Sequence, residues 1–176
     1  MGEALKRLLQ TVRLERDAFV WMDFNDRATA DGLIFVVATR FLILLGEGWT
    51  IRGLSTTLNG IEVLIAAMLN ALIFWLVYSG IVFAVTKFLL SGSGAFATYL
   101  RITGFAYPTL LLYVFTIRLG ITLTAAFVLG SAWFLVIVTR GVIYEGDVPM
   151  EKAAFAAGAG LAGWIILSAI LKRGMI

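Results

Sequence analysis

Arg40, Glu62, Arg101 and Arg118 are charged side chains that lie within or next to long apolar runs of this sequence. A charge at the centre of a lipid bilayer costs about 2.5–3.5 kcal/mol on insertion scales, so such residues are the first candidates for an ion or substrate path. An ion-coupled carrier ordinarily has an acidic residue near the middle of a span, whereas Glu62 lies at one end of its run. The pattern favours a structural role, in which these side chains reach the headgroups or pair with one another, as Arg40 and Glu62 could on one membrane face.

An amide and a row of small residues indicate close helix packing. Asn70, also inside an apolar run, can hydrogen-bond to a neighbouring helix, which contributes about 0.6 kcal/mol in membranes and more often serves packing than substrate binding. Ala154, Gly158 and Ala162 repeat at intervals of four residues and form a helix face without bulky side chains, so another backbone can approach it closely. We expect the neighbour on that face to be a helix of the same chain, with another chain as the alternative.

The residue types that most enzymes need are missing. The chain has no Cys and no His, which removes thiol nucleophiles, imidazole bases and zinc or haem ligation through those side chains. The apolar runs offer no Ser–Lys pair or acidic dyad suited to an intramembrane protease or a lipid enzyme. Glu145, Asp147 and Glu151 lack the spacing of a calcium loop, and we interpret them as a solvated loop. We therefore predict a protein with no catalytic residues, no metal and no cofactor.

The composition predicts that the surrounding solvent is a lipid bilayer. Of 176 residues, 61% are hydrophobic and 14% charged, and the mean hydropathy is +0.96, an apolar excess that a small soluble domain cannot hide in its core. The net charge is only +3 and the basic residues are scattered, so the sequence does not indicate a nucleic-acid-binding surface. The high hydrophobic content and the low net charge are both typical of integral membrane proteins.

Five apolar runs predict an all-α, polytopic transmembrane bundle with five spans. They cover residues 28–45, 61–90, 95–117, 121–138 and 153–171, and a span needs about 20 residues. Pro108 should bend the third run, because proline removes a backbone hydrogen bond. The short turn at 118–120 should force the fourth run to pack antiparallel beside the third. We assign residues 28–176 to one transmembrane domain.

Residues 1–27 form a separate, polar N-terminal region. Between residues 1 and 20, apolar residues recur at helical spacing and basic residues fall mainly on the other side, which predicts an amphipathic helix on the membrane surface. A partner-docking helix is the alternative. With five spans, nine Lys and Arg flank the side that carries the N-terminus and five flank the other. This asymmetry predicts a cytoplasmic N-terminus and a C-terminus on the opposite side.

Several stretches, in this order, carry a resemblance to a known family. They are FNDRATA at 24–30, the small-residue loop SGSG at 91–94, RITGFAYP at 101–108, and Trp133 in the following span. In this arrangement the chain resembles the Yip domain family, the Ypt/Rab-interacting-protein fold of small polytopic membrane proteins, in its prokaryotic form. The sharpest motif is the Gly-Phe-Ala-Tyr-Pro run that ends at Pro108.

The resemblance implies a five-span protein with a cytoplasmic N-terminus and a scaffold or accessory role. It also implies that Gly104, Tyr107 and Pro108 are structural residues. The eukaryotic relatives act in vesicle traffic with small prenylated GTPases, but their Asp-Leu-Tyr-Gly-Pro type motif has no counterpart at 17–21, which reads DAFVW, so GTPase binding is not expected. The leading hypothesis is a non-enzymatic membrane adaptor that packs against other membrane proteins. The alternative is a small transporter or channel component that uses the polar groups Arg40, Glu62 and Asn70.

Overall fold

The computed structural model describes residues 2–46 and 58–174, and every regular element within those ranges is helical. This confirms the predicted all-α class for the described residues. A π-helical turn, Val85–Leu89, extends the fourth helix, and a 3₁₀ turn, Tyr107–Leu110, separates the fifth helix from the sixth. The helices are α1 (Gly2–Val12), α2 (Arg16–Phe24), α3 (Arg27–Gly46), α4 (Leu58–Ala84), α5 (Phe96–Ala106), α6 (Leu111–Arg118), α7 (Leu123–Gly146) and α8 (Met150–Gly174).

Four helical stretches are long and apolar enough to cross a membrane: Arg27–Gly46, Ile61–Leu89, Val128–Gly146 and Met150–Ile170. The chain is therefore a multi-pass membrane protein. The third apolar run is not among these stretches, because it is divided into α5 and α6 at Pro108. A proline in a helix has no N–H to donate and its ring crowds the preceding turn, so the expected bend appears as a full interruption.

The two halves of the third run, α5 and α6, both lie antiparallel to α7, as the short turn between α6 and α7 predicts. At one end of α7, Glu145 Oε1 accepts a hydrogen bond of 3.0 Å from the backbone N–H of Ala95. Further along, a Cβ built on Gly130 would lie 3.1 Å from the Cβ of Tyr113. The contact positions rise along one element as they fall along the other, so α5 and α6 together cover nearly the whole length of α7.

The α5 helix lies at the centre of the bundle, parallel to α3. Every residue from Thr98 to Tyr107 is buried, because α3, α4 and α7 surround α5 and the N-terminal helices cover the remaining side. Its polar side chains have partners: Thr103 Oγ1 and Ser79 Oγ lie 2.5 Å apart. A helix enclosed in this way must satisfy its polar groups inside the protein, since lipid offers no hydrogen bonds.

The N-terminal region forms two helices where one was predicted for residues 1–20. Leu14, at φ 62°, takes the left-handed conformation between α1 and α2. The N–H of Glu15 then bonds to the carbonyl of Gln10 at 2.9 Å, which closes α1 with a Schellman-type cap. Both helices pack on the bundle, with Thr11 and Met22 buried. An amphipathic surface position for this region remains a prediction.

The seventh helix is longer than the fourth apolar run. The sequence indicated a polar loop at 140–150, but α7 continues through this stretch to Gly146, and Asp147 ends it at φ 49° in the left-handed conformation. Val142 is fully buried and Tyr144 packs its ring on Phe19 of α2, with centroids 5.5 Å apart. The extra turns are therefore held by contacts with the N-terminal helices, which residues 140–150 alone do not reveal.

Candidate functional site

An open cavity of about 610 Å³ lies between α3, α4, α7 and α8, and residues of the 3₁₀ turn and α6 also line it. Its α3 residues, Arg40 and Ile43, lie near the end of α3 that is remote from α2. Small side chains on α7, at Gly130 and Ser131, leave room on one wall. Tyr107 also lines the cavity, from the turn that Pro108 creates. The break in the third apolar run thus shapes part of the cavity.

An aromatic cluster centred on Phe74 forms one wall of the cavity. The centroid of the Phe74 ring lies 5.3 Å from that of Trp164, 5.8 Å from that of Tyr107 and 6.2 Å from that of Phe134. Edge-to-face and tilted pairs at these separations are favourable, each contributing about 0.5–1.5 kcal/mol beyond burial. The wall is therefore rigid and apolar.

Arg40 is the charged residue among the described residues that line the cavity. Its Nε atom is buried and has no hydrogen-bond partner, and none of the ion pairs among the described residues involves it. Ser131, Ser168 and Asn70 also line the cavity. The structure thus places a cation and several uncharged polar groups around one largely apolar space.

Of the predicted intramembrane polar residues, Arg40 and Asn70 meet at this cavity, but Glu62 does not line it. Glu62 is exposed, and the pairing of Arg40 with Glu62 that the sequence allowed does not occur in the part of the chain described. Asn70 is exposed towards the cavity side of α4 and is not buried between two helices. Its expected hydrogen bond to a neighbouring helix therefore remains a prediction.

Arg101, another of the predicted intramembrane polar residues, connects the N-terminal helices to the bundle. It is 5% exposed, and its guanidinium donates to the carbonyl of Met22 at 2.8 Å, to Thr29 Oγ1 at 2.9 Å and to Asp26 Oδ1 at 2.5 Å. The carbonyl lies in the last turn of α2, where a cation is favoured by the helix dipole. We call these contacts the Arg101 clamp. Arg101 therefore pairs with groups at the end of α2 and the start of α3 that the sequence did not indicate.

A second group of contacts fastens the loop that joins α4 to α5. The backbone N–H of Ser93 donates to the carbonyl of Gly146 at 2.9 Å, and Glu145 accepts from Ala95 through its side chain. Gly94 adopts φ +101°, and a Cβ there would lie 2.6 Å from Glu145 Cγ. The sequence assigned Glu145 to a solvated acidic loop and missed this role. No group of three or more His, Cys, Asp or Glu within residues 2–46 and 58–174 could hold a metal ion.

The structural motif residues pack as their types suggest. Gly104 lies against α3, where a Cβ would come within 2.9 Å of Gly32 Cα, so the two backbones touch as in small-residue membrane contacts. Tyr107 is buried at 5% exposure and Pro108 occupies the first turn of the 3₁₀ segment. These residues set the spacing of α3 and α5 and the bend at the cavity.

The small-residue face of α8 does not pack within the chain, contrary to the expectation. Ala154, Gly158 and Ala162 are all exposed, and a Cβ on Gly158 would meet nothing within 4 Å. The helix instead packs on α4 through a different set of small residues. Gly160 is one of them, since a Cβ there would lie 2.7 Å from Val82 Cγ2. Both faces of α8 carry small residues, and the sequence analysis assigned the packing contact to the exposed face.

Comparison with known proteins gives no match: neither a family model, nor a curated protein, nor a solved structure matches this chain. Its function is therefore inferred from its residues and their geometry.

Proposed function

We propose that this chain is a non-enzymatic membrane adaptor or accessory subunit, which binds another membrane protein through the outward face of α8. The observation that carries the proposal is the exposure of Ala154, Gly158 and Ala162 on a helix long enough to span a membrane. Between helices in lipid, association depends on close backbone contact and not on a hydrophobic driving force. The exposed face of small residues on α8 allows a second helix to approach its backbone closely.

The polar interior supports an adaptor more than a catalyst or an ion path. Arg101, the most deeply buried charge among the described residues, is fully engaged with Met22, Asp26 and Thr29. The Ser79–Thr103 pair is likewise closed within the bundle. These groups hold helices in place and leave no reactive atom free at the centre of α5.

The proposal includes five membrane crossings with a cytoplasmic N-terminus. The α5–α6 element is too interrupted to count as one long helix, but it runs alongside α7 from Glu145 to Gly130. The α5–α6 element would therefore cross the membrane beside α7, in the opposite direction. The fold proposed here is that of the Yip domain family, a proposal supported by the close contact of Gly104 with Gly32 and by the break at Pro108.

Co-purification from native membranes tests the adaptor proposal. The wild-type chain, extracted in mild detergent, should carry a stoichiometric protein partner that mass measurement detects. Gly158→Leu should abolish that partner, because the side chain would fill the contact face. Gly80→Leu is the matched control on α4, since a Cβ at Gly80 also meets nothing within 4 Å, and it should retain the partner. Isolation of the chain alone, or a partner that survives Gly158→Leu, would contradict the proposal.

A second candidate, a small transporter or channel component, is favoured by the meeting of Arg40 and Asn70 at one cavity. Solute flux into liposomes that contain only this chain would support it. Arg40→Gln should then abolish the flux, whereas Glu62→Gln should leave it unchanged, because Glu62 does not line the cavity. If solute flux into liposomes that contain the pure protein is no faster than flux into empty liposomes, this candidate fails.

A further inference from the structure

We infer that the cavity beside Arg40 binds an anionic amphiphile, with a carboxylate or phosphate head on the guanidinium and an apolar chain along the Phe74 aromatic wall. None of the small residues Ala154, Gly158 and Ala162 of α8 lines this cavity. Either proposal can therefore fail without the other.

The charge of Arg40 calls for an anion. A guanidinium next to apolar walls is costly unless an opposite charge and hydrogen-bond acceptors accompany it. Within the described residues Arg40 has no carboxylate partner, and its Nε donor is buried and unpaired. The buried cation Arg101 shows the contrast, since three different groups accept its hydrogen bonds. Carboxylate and phosphate oxygens match the fork of an arginine, because they can accept two parallel N–H bonds at once.

The walls require the ligand to be largely apolar. Phe74, Trp164 and Phe134 present ring faces and edges, while Leu161 and Ile165 add aliphatic surface from α8. An inorganic anion would leave this surface uncovered, whereas an acyl or similar chain would bury it at about 25 cal/mol per Å². The cavity volume of about 610 Å³ falls within the range of roughly 300–1,000 Å³ that is usual for small-molecule sites.

The depth of Arg40 fits the junction between a head and a chain. Arg40 stands six residues before Gly46, the last residue of α3, which is about 9 Å along a helix axis. A head bound there would lie just inside the end of the bundle. The Ser131 hydroxyl and the Asn70 amide lie on the same cavity and are suited to hydrogen-bond the oxygens that usually follow an anionic head.

Quenching of tryptophan fluorescence tests the inference, because Trp164 forms part of the wall. The intact chain in mild detergent would be titrated with a brominated fatty acid, its uncharged methyl ester, and a brominated lysophosphatidic acid. We expect saturable quenching by the acid or by the lysophosphatidic acid, and only weak quenching by the ester. Trp164→Phe should remove most of the saturable signal. Binding of one head and not the other identifies the source of the anion.

The variants separate the site from general detergent partitioning. Arg40→Gln should weaken binding of the charged probe by roughly 10- to 100-fold, the loss usual for hydrogen bonds to a charged group. Arg40→Lys should weaken it less, since it keeps the charge and loses the fork. Arg140→Gln is the matched control, because Arg140 lies at the other end of the bundle over the Tyr144 ring, and it should bind as the wild type does.

Three results would overturn the inference. The first is equal quenching by acid and ester in the wild type, which decides the matter even if Arg40→Gln fails to fold. The second is unchanged affinity in an Arg40→Gln variant that melts at the wild-type temperature. The third is displacement of the amphiphile by inorganic phosphate or acetate at similar concentrations, which would indicate a simple anion site.

Discussion

The Arg101 clamp makes one buried side chain responsible for the position of two helices. Removal of its guanidinium in Arg101→Met leaves the carbonyl of Met22 and the hydroxyl of Thr29 without the donors that they now have. We expect a loss of about 2–3 kcal/mol in the free energy of unfolding, the scale of hydrogen bonds to a charged group. Thermal unfolding in detergent, followed by tryptophan fluorescence, measures it. An unchanged midpoint would mean that the clamp is not needed to hold α2.

Two substitutions keep the test specific to buried contacts. Asp26→Asn should have the smaller effect, because the Asp26 side chain is fully exposed and its interaction with Arg101 is screened by solvent. Arg140→Gln removes an exposed arginine and should change stability by no more than about 0.5 kcal/mol. If Arg101→Met and Arg140→Gln lowered the midpoint equally, the loss would reflect removal of a positive charge and not of the buried contacts.

Two glycines on different helices should respond in opposite ways to the same added methyl group. Gly104→Ala places a Cβ 2.9 Å from Gly32 Cα, and backbone cannot move aside as a side chain can, so we expect a loss of about 1–3 kcal/mol. Gly158→Ala meets nothing within 4 Å and should gain about 0.5–1 kcal/mol, because alanine favours a helix. The unfolding midpoints of the two variants against the wild type check this. A loss at Gly158 equal to that at Gly104 would contradict the assigned packing.

The residues that sequence reasoning identified are those whose types act locally. Gly104 and Pro108 were predicted as structural because a missing side chain and a missing N–H have local consequences. The partners of Arg101 were missed, since Asp26 is 75 residues away in the sequence and no pattern links the two. The packing face of α8 was misassigned for a related reason. Small residues occur on both the Gly158 face and the Gly160 face of α8, so the sequence does not distinguish the two. The contact of α4 with the Gly160 face decides which one is buried.

At the level of whole elements, four of the five apolar runs correspond to long helices in the predicted order, whereas the third run is divided at Pro108. The ends of the helices are set by distant contacts. The stop at Leu14 was not predicted, because the left-handed position after a helix usually holds glycine. The extension of α7 to Gly146 was missed, because polar Arg140 and Glu145 indicated a loop. In the structure Glu145 holds Ala95 instead, so a polar residue serves an internal contact.

The loop between α4 and α5 should detach when Glu145 is truncated. Glu145→Ala removes the acceptor for the Ala95 N–H, and local opening of a segment rises as its few contacts are lost. Trypsin cleavage after Lys87, an exposed residue just before the loop, should accelerate several-fold in detergent. Glu151→Ala, at the exposed start of α8, should leave the rate unchanged. Equal cleavage rates in the wild type and Glu145→Ala would show that the loop is held by other contacts.

For the molecule as a whole, the central question is whether the interrupted α5–α6 element crosses the membrane with the four long helices. Ala95 lies beside Glu145 at one end of α7, and Tyr113 lies beside Gly130 towards the other. The α7 stretch that qualifies as a span therefore runs alongside α5–α6 for most of its length. That alignment supports the five crossings proposed above, in which the two termini would lie on opposite sides.

Because the chain has no cysteine, single-cysteine variants report the topology without background. Lys87→Cys and Leu119→Cys place a thiol at two exposed sites on either side of the α5–α6 element. With five crossings, a membrane-impermeant maleimide added to sealed, oriented vesicles should label one variant and not the other, and permeabilisation should expose both. If α5–α6 instead turned back within the membrane, both thiols would label from one side.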